Sequence, residues 1–541
     1  MPGSLQLVAV DDLRALFDRL AVAEPIQAAG LLADFLDRAD LEEIGSADLA
    51  EAIASLEPRL EQTARTLRHS LRQSFLPITE TARAQLDALF ALYRAAQSLA
   101  SLRLELAEAS SDPEARMAEM MAAHRLRLEW AARLILDCYQ LYVSVPQSLF
   151  ADLHRFAQPA RREASQPAAW DGVRDIYVGI LLLAMVNPYA LTVDEMAVLY
   201  PCLREIAGWV EITTERPPGS ARFVDMTGQL APHIAIRGGR AMAGSVVHVG
   251  VDALYGDDIA QRLEPECRMA LRGFLRRLSF YLTPRETRRP KHHDSTAGGR
   301  SLVTIGFHSV HHRLRDKLPY SMGSSRHFSL LGLDEEEPRR PVHNELRRAP
   351  SIHDFKLELD SSTENEINWE ARPGADSRHR GPRLHEPAVW DVVDLSEGGL
   401  RLHWRLDGNS RAAVDELILI ERDSGAEVGG LPAVIGLGII RWVRHLDVAN
   451  RTIDMGVERL AGDWEAGLAH PVSEAYAGTW PVLARVDGDS IDRLILPPDL
   501  ADRGGRLNVI QEQGNDIHLN LERIVMVGSH LVVMEAASDA H

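Results

Sequence analysis

The chain is poor in cysteine and aromatic residues, lacks a long apolar run and carries fewer basic than acidic side chains. Its three cysteines, Cys138, Cys202 and Cys267, lie far apart with no paired spacing, so the pattern points to neither a disulfide framework nor a zinc site and fits a reducing cytoplasm. The longest apolar stretch, Ile176 to Val186, contains Gly179 and is too short to cross a bilayer as a helix; a buried core helix is expected there, with no membrane insertion. Residues Met1 to Phe17 include Asp11 and Asp12 where a secretory signal would have a basic region and then an apolar one, so export is not expected. Lys and Arg number 59 against 78 Asp and Glu, a net charge of -19, which disfavours a general nucleic-acid-binding surface. Gly-x-Ser-x-Gly elbows, Walker loops and His-Glu-x-x-His motifs are missing from the sequence, and with them the usual signatures of an enzyme.

What is present is an ordinary globular balance over 541 residues, 45% hydrophobic and 25% charged, long enough for several domains. From Asp11 to Trp209 apolar residues recur at helical spacing, as in Leu13, Leu16, Phe17 and Leu20 or Leu134, Ile135, Cys138 and Leu141. This predicts an α-helical domain over 1–214, its helices punctuated by Pro58, Pro77, Pro113, Pro146, Pro159 and Pro188. Thr192 with Glu195 three residues on has capping-box spacing. Residues 215–320 alternate short β-prone pieces with a helix near Pro265 to Tyr281 and a strand-like stretch, Ser301 to His308, and are expected to form a mixed α/β module, with a degenerate barrel as the alternative. Residues 321–386 are rich in Ser, Pro, Arg, Asp and Glu, the composition of a flexible linker. After Pro387 the pattern turns strongly β, with a small barrel expected over 387–472 and a β-rich extension over 473–541. The fold class expected is α+β multidomain: an all-α N-terminal domain, a mixed module and a C-terminal antiparallel β-barrel.

Candidate sites compete with plainer readings. His308, His311 and His312 would share one face of a helix and could then hold a metal, but a polar strand end is the favoured account. Gly436-Leu437-Gly438 lacks the third glycine of a dinucleotide fingerprint and reads as a strand turn. The basic run Pro284 to Arg300 reads as a solvated loop. Arg441 and Arg444 flank Trp442 and either form a stacking surface for a base or face solvent.

The informative segment is Trp390-Asp391-Val392-Val393-Asp394-Leu395-Ser396-Glu397-Gly398-Gly399-Leu400-Arg401-Leu402, which contains Asp-x-Ser-x-x-Gly. Its Asp and Ser can offer oxygen groups to a base edge or phosphate, and Gly399 allows close backbone approach or a positive φ. This segment resembles the PilZ family. The likeness continues through Gly438-Ile439-Ile440-Arg441-Trp442-Val443-Arg444 and Met455-Gly456-Val457-Glu458-Arg459-Leu460, and more faintly over Met185 to Leu191 and Val303 to His312, as in larger family members with a helical N-terminal half. The resemblance implies a barrel that binds cyclic di-GMP through Asp394, Ser396 and Gly399. The partner arginines it implies are Arg378, Arg380 and Arg383, since a strict Arg-x-x-x-Arg does not directly precede Asp394; Arg347 and Arg348, or Arg285 with Arg289, are the alternatives. It also implies a cytoplasmic, non-enzymatic receptor needing no cofactor beyond the ligand, acting on a protein partner of pilus or flagellar machinery. A ligand-independent adaptor with a degenerate barrel is the competing expectation.

Overall fold

In the computed structural model the described residues are 13–38, 46–72, 76–163, 167–213, 222–225, 233–234, 246–282, 299–317, 387–396, 398–404, 410, 412–422, 434–448, 451–472, 479–487, 490–503, 505–510, 516–528 and 531–538. The chain divides into two compact units, Met1–Arg289 with Arg444–Thr452, and Pro290–Val443 with Ile453–His541. The expected class is observed: a helical N-terminal half followed by strands that close into barrels.

In the first unit, residues 13–20 are helical, followed by α1 (Pro25–Arg38), α2 (Ser46–Leu71), α3 (Glu80–Ala109), α4 (Pro113–Gln140), α5 (Gln147–Glu163), α6 (Pro167–Ala184) and α7 (Val193–Glu205). Helix starts follow their capping residues. The Thr79 side chain accepts the Ala82 N–H ahead of α3, Asp112 accepts the Glu114 N–H ahead of α4, and the Thr192–Glu195 capping box forms as expected. Leu86, Leu89, Tyr93, Ala96 and Ala100 line the buried side of α3, and Leu128, Ala131, Leu134, Ile135 and Cys138 that of α4. At ~1.5–3 kcal/mol for each large aliphatic side chain, such contacts outweigh the modest intrinsic propensity of a helix. Ile176 to Val186 falls at the end of α6, with Ile180, Leu181, Leu182 and Leu183 fully buried, the core helix expected. Pro58 lies inside α2 and Pro159 within the span of α5, so these two do not end helices.

After α7 come strands β1 (Glu211–Thr213), β2 (Arg222–Asp225), β3 (His233–Ile234) and β4 (Val246–Gly250), in sheet order β1-β4-β2-β3, then helices α8 (Asp257–Arg262) and α9 (Pro265–Leu282). A disulfide joins Cys202 on α7 to Cys267 on α9, with Cα atoms 5.3 Å apart, correcting the expectation of three unpaired thiols. A separation of 65 residues carries no spacing signal, and only the packing of α9 on α7 brings the pair within bridging reach. Arg277 of α9 reinforces that packing, reaching the Ala190 carbonyl at 2.9 Å and Glu195 at 3.1 Å. Cys138 is free and buried, and burial pushes its thiol up.

The second unit contains β5 (Gly299–Ile305), α10 (Phe307–Lys317), β6 (Ala388–Ser396), β7 (Gly399–Trp404), β8 (Leu417–Arg422), β9 (Val434–Asp447), β10 (Thr452–Leu460), β11 (Asp463–Pro471), β12 (Trp480–Asp487), β13 (Ser490–Leu496), α11 (Pro498–Arg503), β14 (Arg506–Ile510), β15 (Asp516–Val527) and β16 (Val532–Ser538). The last segment of β9 and the first residue of β10 count with the first unit. The strands make two closed barrels, ordered β10-β7-β6-β5-β8-β9 and β11-β12-β13-β16-β15-β14. β5 pairs with both β6 and β8, so a strand from the segment read as the mixed module completes the first barrel. β11 starts the second barrel, and residues 473–541 supply the rest of it. Phe307 and Val310 of α10 share a core with Leu417, Leu419 and Ile439 of the first barrel and Ala466, Leu483 and Val533 of the second.

Strand β5 ends at Ile305, and Gly306 at φ 98° turns the chain into α10. His308, His311 and His312 therefore lie on a helix, where the sequence reading favoured a strand end. They do not combine into a metal site: among the described residues no group of His, Cys, Asp and Glu could hold a metal ion. His311 is buried with Nε2 2.9 Å from the Gly467 carbonyl.

Candidate functional site

Strand β6 begins with ordinary alternation, Trp390 and Val392 pointing into the barrel. Continued alternation would send Asp394 and Ser396 into the core. It is interrupted by a bulge: Val392 pairs with Leu402, the next pair is Asp394 with Arg401, and Val393 is left over and exposed. One extra residue exchanges the faces. The cross-strand partners of Asp394 and Ser396, Arg401 and Gly399, alternate with the buried Leu400 and Leu402, so both predicted side chains stand on the outer face of the barrel.

Register places three rows of residues on that face across β6, β7 and β10. They run Asp391–His403–Asp454, Asp394–Arg401–Gly456 and Ser396–Gly399–Glu458. Beneath them Trp390 and Trp404 stack inside the barrel with ring centroids 5.4 Å apart. The Asp454 carboxylate, almost fully buried, accepts from Arg401 Nε at 2.8 Å and from Arg401 Nη2, and lies 2.6 Å from His403 Nδ1. Arg401 is held at one end and two-fifths exposed at the other, which leaves part of its guanidinium on the face.

The turn is tied down locally. The Ser396 hydroxyl donates to the Gly399 carbonyl at 3.1 Å, and the Arg459 N–H donates to the Gly398 carbonyl at 3.0 Å. Gly399 is needed for close approach: a Cβ there would overlap the Val457 carbonyl on β10. Gly456 serves the same end one row along, since its missing side chain makes room for the indole of Trp442 on β9.

Of the stacking candidates, Trp442 is half-buried against this face. Arg441 is engaged by Glu458 at 2.6 Å and Asp415 at 3.3 Å. Arg444 belongs to the first unit, where it donates to the Ser144 hydroxyl at 3.0 Å and lies over the Tyr189 ring at 5.3 Å. Arg378, Arg380 and Arg383, and the alternatives Arg347, Arg348, Arg285 and Arg289, lie outside the described residues. Arg401, His403 and Asp454 were missed as site residues. The signal that could have found Arg401 is its position two residues after Gly399, which puts it on the same face of the next strand.

The face is thus a polar surface with a half-buried indole, a hydroxyl, carboxylates and a partly exposed guanidinium. It can read the N–H edge of a base and stack a ring. Its described arginines are already paired, to Asp454 and Glu458, so phosphate charge calls for further cations.

Neither a curated protein nor a solved structure matches the chain. Residues 11–218, however, match the family model described as "Cyclic-di-GMP receptor FimW, N-terminal domain".

Proposed function

We propose that the chain is a cyclic di-GMP receptor in which the first barrel is PilZ-like and carries ligand on its outer face at the β6–β7 turn. The observation that carries this reading is the match of residues 11–218 to the N-terminal domain of a cyclic di-GMP receptor family. Asp394 supplies acceptors for the guanine edge, the Ser396 hydroxyl turns from the Gly399 carbonyl to donate to phosphate, and Gly399 keeps the turn close to β10. Arg378, Arg380 and Arg383 supply the phosphate cations that the described face lacks, forking onto phosphate oxygens and stacking on guanine. Contact of that arginine segment with the ligand is the step that binding adds. Its free energy shifts how the helical half presents itself to a protein partner of pilus or flagellar machinery, in control of motility or biofilm. By the PilZ resemblance the protein works in the cytoplasm, as a receptor and not an enzyme.

One observation favours a second reading. Arg401 and Arg441 are satisfied by Asp454 and Glu458 without ligand, which suits a barrel kept as a ligand-independent adaptor surface. Equilibrium dialysis of the full chain against cyclic di-GMP, cyclic di-AMP and GTP separates the two. A receptor retains cyclic di-GMP selectively, whereas an adaptor retains none of them.

A further inference from the structure

On the outer face of the first barrel, the middle row Asp394–Arg401–Gly456 sets a carboxylate beside a guanidinium, and the Trp442 indole fills the space that Gly456 leaves. Cross-strand neighbours lie about 4.5–5.5 Å apart at Cβ, close enough for one purine to touch both Asp394 and Arg401. The two side chains do not pair with each other: among the described residues the guanidinium turns to Asp454. Arg401 Nε, at 2.8 Å, and Nη2 both donate to Asp454 Oδ2, while His403 Nδ1 lies 2.6 Å from Oδ1 of the same carboxylate. Asp454 is buried and two-fifths of the Arg401 side chain is exposed, so the guanidinium is anchored along one edge and open along the rest.

An arginine carries five N–H donors in a fixed plane. Two of them serve Asp454, and the fork between Nη1 and Nη2 remains for a partner on the face. The Asp454 carboxylate already balances the guanidinium charge, so the open fork is a pair of directed donors better matched to neutral acceptors than to a phosphate. Guanine presents two adjacent acceptors, O6 and N7, where adenine presents N7 beside the N6 amine. A fork of two donors therefore suits guanine, and in adenine one of its donors meets another donor and goes unsatisfied.

We propose that Arg401 is the residue that selects guanine over adenine on the barrel face, forking onto O6 and N7 while Asp394 takes the neighbouring N1–H and N2–H edge. Asp454 is its positioning residue: it holds the guanidinium in the row without touching the base. The proposal rests on the receptor reading for the presence of a guanine dinucleotide at the β6–β7 turn, and it adds the side chain that turns away the adenine counterpart.

The test is calorimetric titration of the full chain with cyclic di-GMP, cyclic di-IMP and cyclic di-AMP, on wild type, Arg401→Lys, Asp454→Ala, Asp454→Asn and Asp394→Ala. Hypoxanthine, the base of cyclic di-IMP, keeps O6, N7 and N1–H and lacks the N2 amine. Arg401→Lys keeps a cation beside Asp454, which protects the fold, and removes the fork; circular dichroism and thermal melting certify each variant. Wild type is expected to prefer cyclic di-GMP over cyclic di-AMP by at least about ten-fold. In Arg401→Lys that preference is lost, cyclic di-GMP and cyclic di-IMP weakening together while cyclic di-AMP is unchanged. Asp394→Ala instead removes the advantage of cyclic di-GMP over cyclic di-IMP. Asp454→Ala lowers the guanine preference as Arg401→Lys does, and Asp454→Asn, which keeps an acceptor for Arg401, recovers it; a merely structural role would not move that ratio. Wild-type preference in Arg401→Lys overturns the inference and leaves the receptor reading standing. An equal fall for all three ligands overturns it too, as the mark of a phosphate contact, and a wild type that binds no nucleotide overturns both.

Discussion

Asp394 stands opposite Arg401 across the β6–β7 ladder because Val393 is bulged out of register. Trp390 and Val392 set an inward phase on β6, and the bulge reverses it so that Asp394 and Ser396 reach the outer face.

Deleting Val393 restores strict alternation and turns Asp394 and Ser396 toward the core, or drags Trp390 and Val392 out of it. Burying an unpartnered carboxylate costs several kcal/mol, so the deletion variant is expected to unfold the first barrel. Val393→Ala, which keeps the bulge, should change stability by less than about 1 kcal/mol. Urea denaturation followed by tryptophan fluorescence compares the two, and equal stabilities would contradict the assignment of the bulge.

The Asp454 carboxylate is buried and shared by Arg401 and His403. Arg401→Ala leaves that charge buried beside His403 alone and is expected to cost about 2–4 kcal/mol, toward the lower end because Arg401 is partly in water. Asp454→Ala releases Arg401 to solvent, so the double variant should cost less than the sum of the single changes by about 1 kcal/mol or more. A double-mutant cycle in urea measures this, and additive costs would show that the network carries no coupling.

Burial holds His311 of α10 and His445 of β9 down to a pKa of about 4, below the ordinary histidine value of about 6.5. In this window the unfolded chain takes up a proton that the folded chain refuses. The stabilisation is therefore complete above about pH 6.5 and is lost as pH falls toward 4, at up to ~1.4 kcal/mol per pH unit for each histidine. His311→Asn and His445→Asn should each flatten the fall in stability between pH 6.5 and 4.5 relative to wild type. Parallel stability–pH curves would contradict the burial of these rings.

Much of this was legible in the sequence, and what was not has a physical reason. Thr192 with Glu195, the apolar run after Ile176 and the β alternation after Pro387 act locally, within a few residues, and each forms as read. The pairing of β5 with β6 and β8, which spans the segment read as a linker, leaves no mark in local pattern. The meeting of Cys202 with Cys267 depends on helix packing and leaves none either. At the candidate site, Asp394, Ser396 and Gly399 could be named from their spacing, but a single extra valine decides which face they occupy. Arg401 and Asp454 meet only once β7 and β10 are in register. His308, His311 and His312 were misassigned to a strand because the break falls at Gly306, whose φ is not written in the apolar pattern.

The measurement that tests the central claim most directly is calorimetric titration of cyclic di-GMP into the full-length protein and into the Asp394→Ala/Ser396→Ala variant. The receptor account predicts saturable binding to wild type, with the barrel component abolished by the double change. A titration without heat, accompanied by no thermal-stability or spectroscopic shift in the wild type, would contradict it and leave the adaptor reading in its place.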